Sequence, residues 1–355
     1  MKKIVNVIAE GKKIYIGLED SKRTWKICVR SDGMVISETS MEASYQVLQT
    51  YLRRHFPNCA VLVVYESGFR GFTLHDALIL DRYDCHVIPA HRVTREKTNR
   101  VKCDKLDARR LSFMAETHDY KDSCWIPDKQ LRYDRQISRL LIQVQKSISR
   151  RKNRIRRFLE FYGYDEGLPS GAWYDKDYKR VKDFKFPGSL QWCFDRYIKD
   201  LDRLLLEKKE IKAKLKELSK DKRYNRTFKI FTSAPGIGEL TAIRLVLEWG
   251  PDLSRFDSGK SFAAYTGLTG REHSTGETIR RGRITGLGNS YVRSWLIECA
   301  WVSCRRDPVL FNKYKRVRDN SGSGKKAIVA VARTLAVRLR AMAISDEEYK
   351  ISKAA

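Results

Sequence analysis

The strongest constraint on the fold is the order of apolar segments in the first 120 residues. Three strand-like segments come first, KIYIGLED, TWKICVR and GMVISETS. Helix-like and strand-like segments then alternate, in the order MEASYQVLQTYLRRHF, AVLVVYES, GFTLHDALIL, DCHVIPA and CDKLDARRLSFMAE. Strands joined by short turns pair antiparallel, whereas strands separated by helices pair in parallel. The order β-β-β-α-β-α-β-α therefore predicts an α/β ribonuclease-H-like (RuvC-like) domain, a mixed sheet covered by helices.

The charge of the chain points to a polyanionic partner. Its 355 residues include 71 Lys and Arg against 43 Asp and Glu, a formal net charge of +28. So many like charges repel one another in a folded protein unless phosphates neutralise them. The chain has no run of eighteen apolar residues, and its start, MKKIVNVIAEGKK, does not resemble a signal peptide. Nucleic acid is favoured over a membrane as the partner, and a cytoplasmic location is expected.

The eight cysteines predict neither a zinc site nor disulfides. No two of them form a CxxC pair, and with the six histidines they do not form a set with zinc-ligand spacing. Because the cytoplasm keeps thiols reduced, we expect free and mostly buried cysteines.

From about Leu131 the sequence changes to two long, charged helices with coiled-coil spacing. Apolar residues recur at alternate steps of four and three, with Arg151 at one seam position and Lys208 interrupting the other seam. The seams comprise Ile137, Leu141, Val144, Ile148, Ile155 and Phe158 in the first helix, and Phe194, Tyr197, Leu201, Leu204, Ile211, Leu215 and Leu218 in the second. The intervening break, YGYDEGLPSGAWYDKDY, allows an intramolecular helical hairpin, a dimerisation seam, or both.

Around the first seam, the segment KSISRRKNRIRR is dense in positive charge. Its basic residues are Arg150, Arg151, Lys152, Arg154, Arg156 and Arg157. A solvated helix face is one interpretation of this run. The net charge of the chain favours the other, which is contact with nucleic-acid phosphates.

The last third of the chain, from about Phe228, returns to helices punctuated by glycine. The segment SAPGIGELTAIRLVLE predicts a helix-hairpin-helix-like turn, in which backbone N–H groups at Gly236 and Gly238 could hold a phosphate. A glycine-rich turn between core helices gives the same pattern. The polar stretch REHSTGETIRRGRITGLGNSYVRSWL follows, and the tail KKAIVAVARTLAVRLRAM predicts an amphipathic helix that serves packing.

Two aspartates begin the last helix of the first region, in VKCDKLDARRL. Asp104 and Asp107 recur with Leu111 and Met114 at spacings of three and four, so both acids share the stripe that should face the interior. An N-cap followed by a first-turn acid explains Asp104 well and Asp107 poorly. A buried carboxylate needs a partner, but these two residues alone favour the capping interpretation.

Strand ends supply further carboxylates to the same edge of the sheet. The first strand ends at Glu19-Asp20 and the fourth ends at Glu66. Ligand sites in open α/β sheets lie outside the carboxyl ends of the strands, so Glu19 and Glu66 should meet Asp104 and Asp107 there. Each close pair would repel by about 4 kcal/mol at an effective dielectric of 20 unless cations lie between them. We therefore expect Mg²⁺, two ions per site, acting on both oxygens of a phosphoryl transfer.

The sequence resembles transposases of the insertion-sequence one-ten family, which are related to Piv-type DNA invertases. The matching motifs in the first region are YIGLEDSK, VYESG and KCDKLDA, and those in the last third are APGIGELTA, FAAYTGL and REHSTGETIRRGRITGLGN. Their order and spacing cover nearly the whole chain, which makes the set specific where each motif alone would be weak.

The resemblance implies the function and the partners. It implies recombination of donor and target double-stranded DNA by a RuvC-like Asp-Glu-Asp-Asp domain acting with a serine of the C-terminal domain. It also implies guidance by a structured noncoding (bridge) RNA, dimers that assemble to tetramers, and a place at the prokaryotic nucleoid. The corresponding domains are RuvC-like 1–125, helical dimerisation region 126–225 and C-terminal transposase domain 226–355.

At two positions in the matching motifs, either of two adjacent residues could fill the predicted role. The family usually has Asp where Gly17-Leu18-Glu19-Asp20 places Glu19. Strand alternation puts Glu19 on the face of Gly17, so Glu19 is the predicted ligand and Asp20 the reserve. The serine motif offers adjacent hydroxyls, and Ser274, being less hindered, is preferred over Thr275. The arginines nearby, expected to contact phosphates, are Arg280, Arg281 and Arg283.

Two other functions fit the same residues. One is a Mg-dependent RuvC-like nuclease, such as a junction resolvase, that uses water and never uses Ser274. The other is a nucleic-acid-binding protein in which Glu19 has impaired the chemistry. Covalent attachment to cut DNA separates the recombinase from the nuclease, and Mg-dependent cleavage excludes the binding protein.

Overall fold

A computed structural model describes residues 11–93, 103–121, 123–166, 168, 173–272 and 281–351. The chain divides into two compact units, residues 1–126 and 127–355. The first boundary lies one residue from the sequence-derived 125/126, and the second, at 225/226, falls inside the second unit and stays a prediction.

The first unit is mixed α/β and has the element order that the sequence predicts. It contains β1 (Lys13–Glu19), β2 (Thr24–Ser31), β3 (Met34–Glu42), α1 (Tyr45–His55), β4 (Ala60–Glu66), α2 (Thr73–Leu80), β5 (Asp84–Ile88) and α3 (Asp104–Glu116). The strands form one sheet in the order β3-β2-β1-β4-β5. The hairpin pairs β1–β2 and β2–β3 are antiparallel, and the crossover pairs β1–β4 and β4–β5 are parallel.

The two faces of this sheet carry different helices. Alternate residues of β4 belong to two apolar clusters: Val61 and Val63 pack with α1 and α2, whereas Leu62 and Val64 pack with α3. In β1 the even-numbered residues Ile14–Leu18 pack on the α1/α2 side. The odd-numbered residues therefore face α3, because successive side chains of a strand point to opposite sides.

The second unit is mostly helical. It contains α4 (Lys129–Phe161), α5 (Asp175–Lys182), α6 (Ser189–Leu218), α7 (Asn225–Ser233), α8 (Glu239–Trp249), α9 (Gly259–Tyr265), β6 (Gly270–Glu272), β7 (Arg281–Ile284), α10 (Ser290–Arg306), α11 (Pro308–Ser321) and α12 (Gly324–Ser345). Strands β6 and β7 pair antiparallel as a separate two-stranded sheet.

The two heptad helices form an intramolecular hairpin. Helices α4 and α6 pack against each other, and their seam residues belong to one apolar core that continues into the last third of the chain. At the polar seam position, Arg151 Nη2 lies 2.6 Å from Asp200 Oδ2, and its guanidinium lies over the Tyr197 ring. The hairpin alternative is thus present, and self-association through these helices stays a prediction.

Helix α12 packs in the core of the second unit, and the cysteines are not joined by disulfides. The apolar stripe of α12, including Ile328, Val331, Leu335 and Leu339, is buried, which confirms the packing role expected for the tail. All eight cysteines are free thiols. Within the described part of the chain, no helix has the length and apolarity needed to cross a bilayer.

Candidate active site

Helix α3 lies directly against the backbone of β1, and Gly17 makes this approach possible. A Cβ atom on Gly17 would lie 2.8 Å from the Leu111 carbonyl carbon and closer still to the Ala108 oxygen and the Ser112 nitrogen. Real Cβ atoms essentially never approach backbone atoms so closely. Glycine at this position therefore brings the first turn of α3 beside the end of β1.

Ion pairs hold α3 on the sheet at both of its ends. Near its start, Arg109 makes a two-pronged contact with Glu38 of β3, and Lys105 Nζ lies 3.2 Å from the same carboxylate. Near its end, Arg30 Nε donates to Glu116 Oε2 at 2.6 Å. Hydrogen bonding from Arg109, with Lys105 assisting against the opposing effect of burial, lowers the pKa of Glu38 to about 2.

Three of the predicted carboxylates are brought together by this packing. Asp104 and Asp107 lie in the first turn of α3, close enough to Glu19 for their charges to act on it. Burial raises the pKa of Glu19 and the two aspartates add to the rise, while a 2.9 Å hydrogen bond from Ser21 opposes it. Asp107 is 6% exposed and accepts a 3.0 Å hydrogen bond from Arg110 Nη1.

Glu66 ends the strand next to the one that carries Glu19. Strands β1 and β4 are parallel neighbours in which Leu18 lies opposite Tyr65. Glu66 shares the side of β4 that carries Leu62 and Val64, which is the α3 side. The register therefore places Glu19 and Glu66 at adjacent strand ends on the face covered by α3.

Asp20, the reserve candidate, is engaged on the other side of the strand end. Its carboxylate accepts a 2.6 Å hydrogen bond from Trp25 Nε1 and lies 3.1 Å from Arg70 Nε. Burial raises the pKa of Asp20, and the Trp25 hydrogen bond and the Arg70 charge counteract that rise. Its side chain is 3% exposed. Of the two neighbours, Glu19 is the one that faces the α3 aspartates.

The donor chemistry of the site suits a hard divalent cation. All four predicted ligands are carboxylates, and oxygen donors are what Mg²⁺ prefers. Among the described residues, no three Asp, Glu, His or Cys side chains are already arranged around a common metal position. Asp104 is exposed, so its side chain has room to turn toward Glu19 and Asp107. Binding of Mg²⁺ by these carboxylates stays a prediction.

The helix start differs slightly from the sequence-based alternative. Cys103, with an extended backbone and no side-chain capping bond, precedes the helix, and Asp104 is its first residue. Asp104 is therefore not the N-cap. Both aspartates are first-turn acids, where the partial positive charge of the helix start favours them.

In the second unit, the predicted nucleophile lies between β6 and β7. Ser274, Thr275 and Arg280 fall outside the described residues, as does the side chain of Arg281. Arg283 is exposed on β7. The strands nevertheless fix where the segment that carries Ser274 begins and ends.

The base of this hairpin is held by two glycines in backbone contact. Gly267 and Gly288 both have left-handed backbones, with φ of +71° and +83°. A Cβ on Gly288 would lie 2.8 Å from the Gly267 nitrogen and 2.9 Å from the Tyr265 oxygen. Arg293 Nη1 donates to the carbonyls of Gly267 and Leu287 at 3.2 and 3.3 Å. The motifs FAAYTGL and TGLGN thus pack against each other at the base of the β6–β7 hairpin.

The helix-hairpin-helix-like turn connects α7 and α8, as the sequence indicates, and it packs on α10. Gly236 has φ of +85°, and a Cβ there would lie 2.6 Å from the Cys299 oxygen. Ser303 Oγ donates to the Pro235 oxygen at 2.5 Å. Packing thus accounts for Gly236, whereas Gly238, at the N-cap of α8, is exposed and has open space around it. Phosphate binding by this turn stays a prediction.

The predicted basic run of α4 is not uniform. Arg151 and Arg157 are engaged in ion pairs, with Asp200 and Glu160 respectively. Arg154 is exposed. The remaining three, which line cavities on the surface of α4, are Arg150, Lys152 and Arg156.

Several supporting residues were not foreseen from the sequence. Arg110 follows Asp107 by three positions, a helical spacing that could have indicated the contact. Asn289 accepts from the backbone of Tyr291 as an N-cap and donates to the buried Glu248 at 3.0 Å, and an Asn before a helix is a recognisable signal. Arg70 has no such signal, because its partners are distant in sequence.

The chain is similar to several transposases. A sequence profile of the IS116/IS110/IS902 transposase family matches residues 228–315. The putative transposase y4qE of Sinorhizobium fredii (strain NBRC 101917 / NGR234) is 22% identical over 349 residues, which cover 97% of this chain and 85% of that protein. The transposase for insertion sequence element IS1533 of Leptospira borgpetersenii is 22% identical over 245 residues, 67% of this chain and 70% of that protein.

A DNA-inverting protein is also similar over a shorter stretch. The pilin gene-inverting protein of Moraxella bovis is 33% identical over 113 residues, which cover 31% of this chain and 35% of that protein. The similarities thus join proteins named for transposition with one named for inversion of a gene.

Proposed function

We propose that this chain, whose residues 228–315 match the IS116/IS110/IS902 family of transposases, cuts and rejoins donor and target DNA through a RuvC-like carboxylate site and a serine nucleophile. The observation that carries the proposal is the grouping of Glu19 with Asp104 and Asp107 at one strand end. A ribonuclease-H-like fold for the first unit is supported by its sheet order, β3-β2-β1-β4-β5, and by its pairing pattern.

The four carboxylates Glu19, Glu66, Asp104 and Asp107 would hold Mg²⁺ in this function. When bound, the metal would neutralise phosphate charge and activate the attacking oxygen. The chain's own contribution is positional: β1 and β4 present one carboxylate each, and α3, pressed against Gly17, presents two. Arg110, which donates to Asp107, orients that carboxylate and balances part of its charge.

Ser274 would be the nucleophile of the recombination reaction. Its hydroxyl oxygen would form a bond to the scissile phosphorus as the bond from phosphorus to one deoxyribose oxygen breaks, and the proton lost by the serine would balance the one taken up by that leaving oxygen. The phosphoserine ester keeps the energy of the broken phosphodiester, so a deoxyribose hydroxyl can later displace the serine and rejoin the strands. Hydrolysis would lose that energy. Thr275 is the fallback for the same role.

The partners in this proposal are two DNA duplexes and a structured noncoding RNA that guides them. The net charge of +28 supports extensive contact with phosphates. Self-association to a dimer, and further to a tetramer, would bring donor and target together in one complex. Sequencing the nucleic acid that co-purifies with the protein identifies the RNA. Protein that is fully active without any RNA would contradict the guided mechanism.

Hydrolysis by water is the second candidate function. It is favoured by one observation, that all four carboxylates belong to the first unit, so metal-dependent cleavage would need no group from the second. The two candidates differ in their product. A recombinase leaves a protein–DNA ester, and a nuclease leaves free 5′ and 3′ ends.

The test is a search for that ester with matched variants. The protein, with its co-purified RNA, reacts with a nicked DNA that blocks rejoining, and the denatured products are digested for peptide mass spectrometry. We expect the adduct on Ser274 in the wild-type protein and none in Ser274→Ala, with nucleic-acid binding unchanged. Attachment at Thr275 would show that the neighbouring hydroxyl reacts, and clean ends without an adduct would favour hydrolysis.

A further inference from the structure

An open basic cavity lies between α4, α8 and α10 of the second unit. Its volume is about 450 Å³, and its lining includes Lys146, Arg150 and Arg244 but, among the described residues, no Asp or Glu. Arg244 is 7% exposed, and its guanidinium carbon lies 3.8 Å from the centroid of the Trp295 ring. Its Nε donates to no acceptor in the described part of the chain. A buried donor without an acceptor is costly, so this arginine is prepared for an anion.

A second basic cavity opens on the neighbouring side of α4. Its volume is about 370 Å³, and it is lined by Lys152 and Arg156 of α4, Lys208 of α6 and Trp173. Trp173 is 6% exposed, and no described residue accepts from its Nε1–H. Burial lowers the pKa of Lys208, and the charges of nearby lysines act in the same direction. Lys208, which interrupts the heptad seam, therefore lies close to other positively charged side chains.

The two cavities are adjacent along α4. Gln145 and Ser149 of α4 line both of them. The α4 residues of the two linings are displaced by about four positions, which is about 6 Å along a helix that rises 1.5 Å per residue. A ligand with two negative groups at about this separation would place one group in each cavity.

We propose that this double cavity binds consecutive phosphates of one nucleic-acid strand, with the Arg244 guanidinium and the Trp173 indole as fixed donors. The inference rests on the proposed function only in taking nucleic acid as the ligand. Phosphodiester oxygens accept from both donors, and their charge relieves the repulsion among the lysines and arginines. Because Arg244 is already held against Trp295, little side-chain freedom is lost when the phosphate binds.

The cavities differ from a generally basic surface in a way that can be measured. Arg150 and Lys129 are both exposed basic residues of α4, but of the two only Arg150 lines one of these cavities. Trp173→Phe keeps an aromatic ring in the core and removes the Nε1–H donor. These substitutions therefore separate binding in the cavities from diffuse attraction to the helix.

The experiment measures binding of the full-length protein to labelled oligonucleotides across a range of salt concentrations. Arg150→Ala should reduce the slope of log affinity against log salt by about 0.7 to 0.9, the loss of one phosphate contact. Trp173→Phe and Arg244→Gln should each weaken binding on the order of tenfold, as expected for a lost charge-assisted hydrogen bond. Lys129→Ala should change neither the affinity nor the slope appreciably. Urea unfolding of each variant checks that the fold is retained.

The experiment also shows which nucleic acid supplies the phosphates and which results would contradict the proposal. Parallel measurements with single-stranded RNA, single-stranded DNA and duplex DNA show which strand the cavities hold. Equal effects of Arg150→Ala and Lys129→Ala, or full binding by Trp173→Phe, would overturn the proposal. Variants that behave as predicted in a protein that never cuts DNA would support the cavities while removing the proposed chemistry.

Discussion

The carbonyl oxygen of Ala108 occupies the space that a side chain on Gly17 would fill, so β1 and α3 are in direct backbone contact. The contact sets the distance between the strand that ends at Glu19 and the helix that begins with Asp104 and Asp107. The absence of a side chain at position 17 is therefore required for Glu19 to lie close to Asp104 and Asp107.

Gly17→Ala should therefore destabilise the first unit and remove its activity. The added methyl group meets backbone atoms that cannot rotate away, so we expect a loss of about 3 kcal/mol or more in the free energy of unfolding. Urea denaturation measures the loss, and DNA cleavage measures the displacement of the carboxylates. Gly68→Ala is the matched control, because a Cβ there has only one ordinary neighbour, the Glu66 oxygen at 3.8 Å. A Gly17→Ala protein as stable as Gly68→Ala would contradict the close approach.

Glu38→Gln should change how stability depends on pH. Its folded-state pKa of about 2 lies below the ordinary value of 4.5, so the ionised carboxylate stabilises the fold above about pH 4.5. This contribution is lost as the pH falls from 4.5 toward 2. The difference in unfolding free energy between the wild-type protein and Glu38→Gln should be constant above that window and vanish across it. A difference that does not vary with pH would show that the contact of Glu38 with Arg109 adds nothing to the stability of the unit.

The glycine pair at the base of the β6–β7 hairpin gives a third prediction. Gly288→Ala forces a side chain onto a left-handed backbone and against Gly267, so it should cost about 1 to 3 kcal/mol and misplace the segment between the strands. We expect loss of the protein–DNA adduct with retained nucleic-acid binding. Gly286→Ala, which has open space around it, is the control. Normal adduct formation by Gly288→Ala would show that the hairpin base does not position the nucleophile.

Much of the first unit follows from local periodicity. Alternation along β1 correctly assigns Glu19 to the face of Gly17, and the run of apolar residues in β4 correctly ends at Glu66. These inferences succeed because the side-chain period of a strand is fixed at two. The heptad spacing likewise identifies the residues that α4 and α6 bury, since only one stripe of each helix can face the other.

Other features depend on residues far apart in sequence and leave no local pattern. The contact of Glu38 with Arg109 spans 71 positions, and that of Asn289 with Glu248 spans 41. Arg244 lies within the apolar segment ELTAIRLVLE, where periodicity indicates core packing and gives no sign of a cavity. A single sequence also does not reveal whether a seam closes within one chain or between two, because the same apolar stripe serves both.

Glu19→Asp tests the departure from the family motif. Asp restores the residue that the family usually has, and its shorter side chain still lies at the strand end beside the α3 acids. We expect cleavage activity at or above the wild-type level, whereas Glu19→Ala should be inactive. An inactive Glu19→Asp together with an active Glu19→Ala would transfer the role to Asp20, despite its contacts with Trp25 and Arg70.

The central claim is that the acids of β1, β4 and α3 form the metal site of the DNA chemistry, and Asp107→Asn tests it most directly. Asn has nearly the same shape as Asp and lacks the charge, so the fold and the binding of nucleic acid should persist while the affinity for a divalent cation falls. Asp119→Asn, an exposed position beyond the end of α3, is the matched control. The measurement is cleavage of a DNA substrate as a function of Mg²⁺ concentration, with a chelator as the blank. We predict DNA cleavage by the wild-type protein and by Asp119→Asn, and no cleavage by Asp107→Asn at any Mg²⁺ concentration. Wild-type cleavage by Asp107→Asn with an unchanged Mg²⁺ dependence would contradict it.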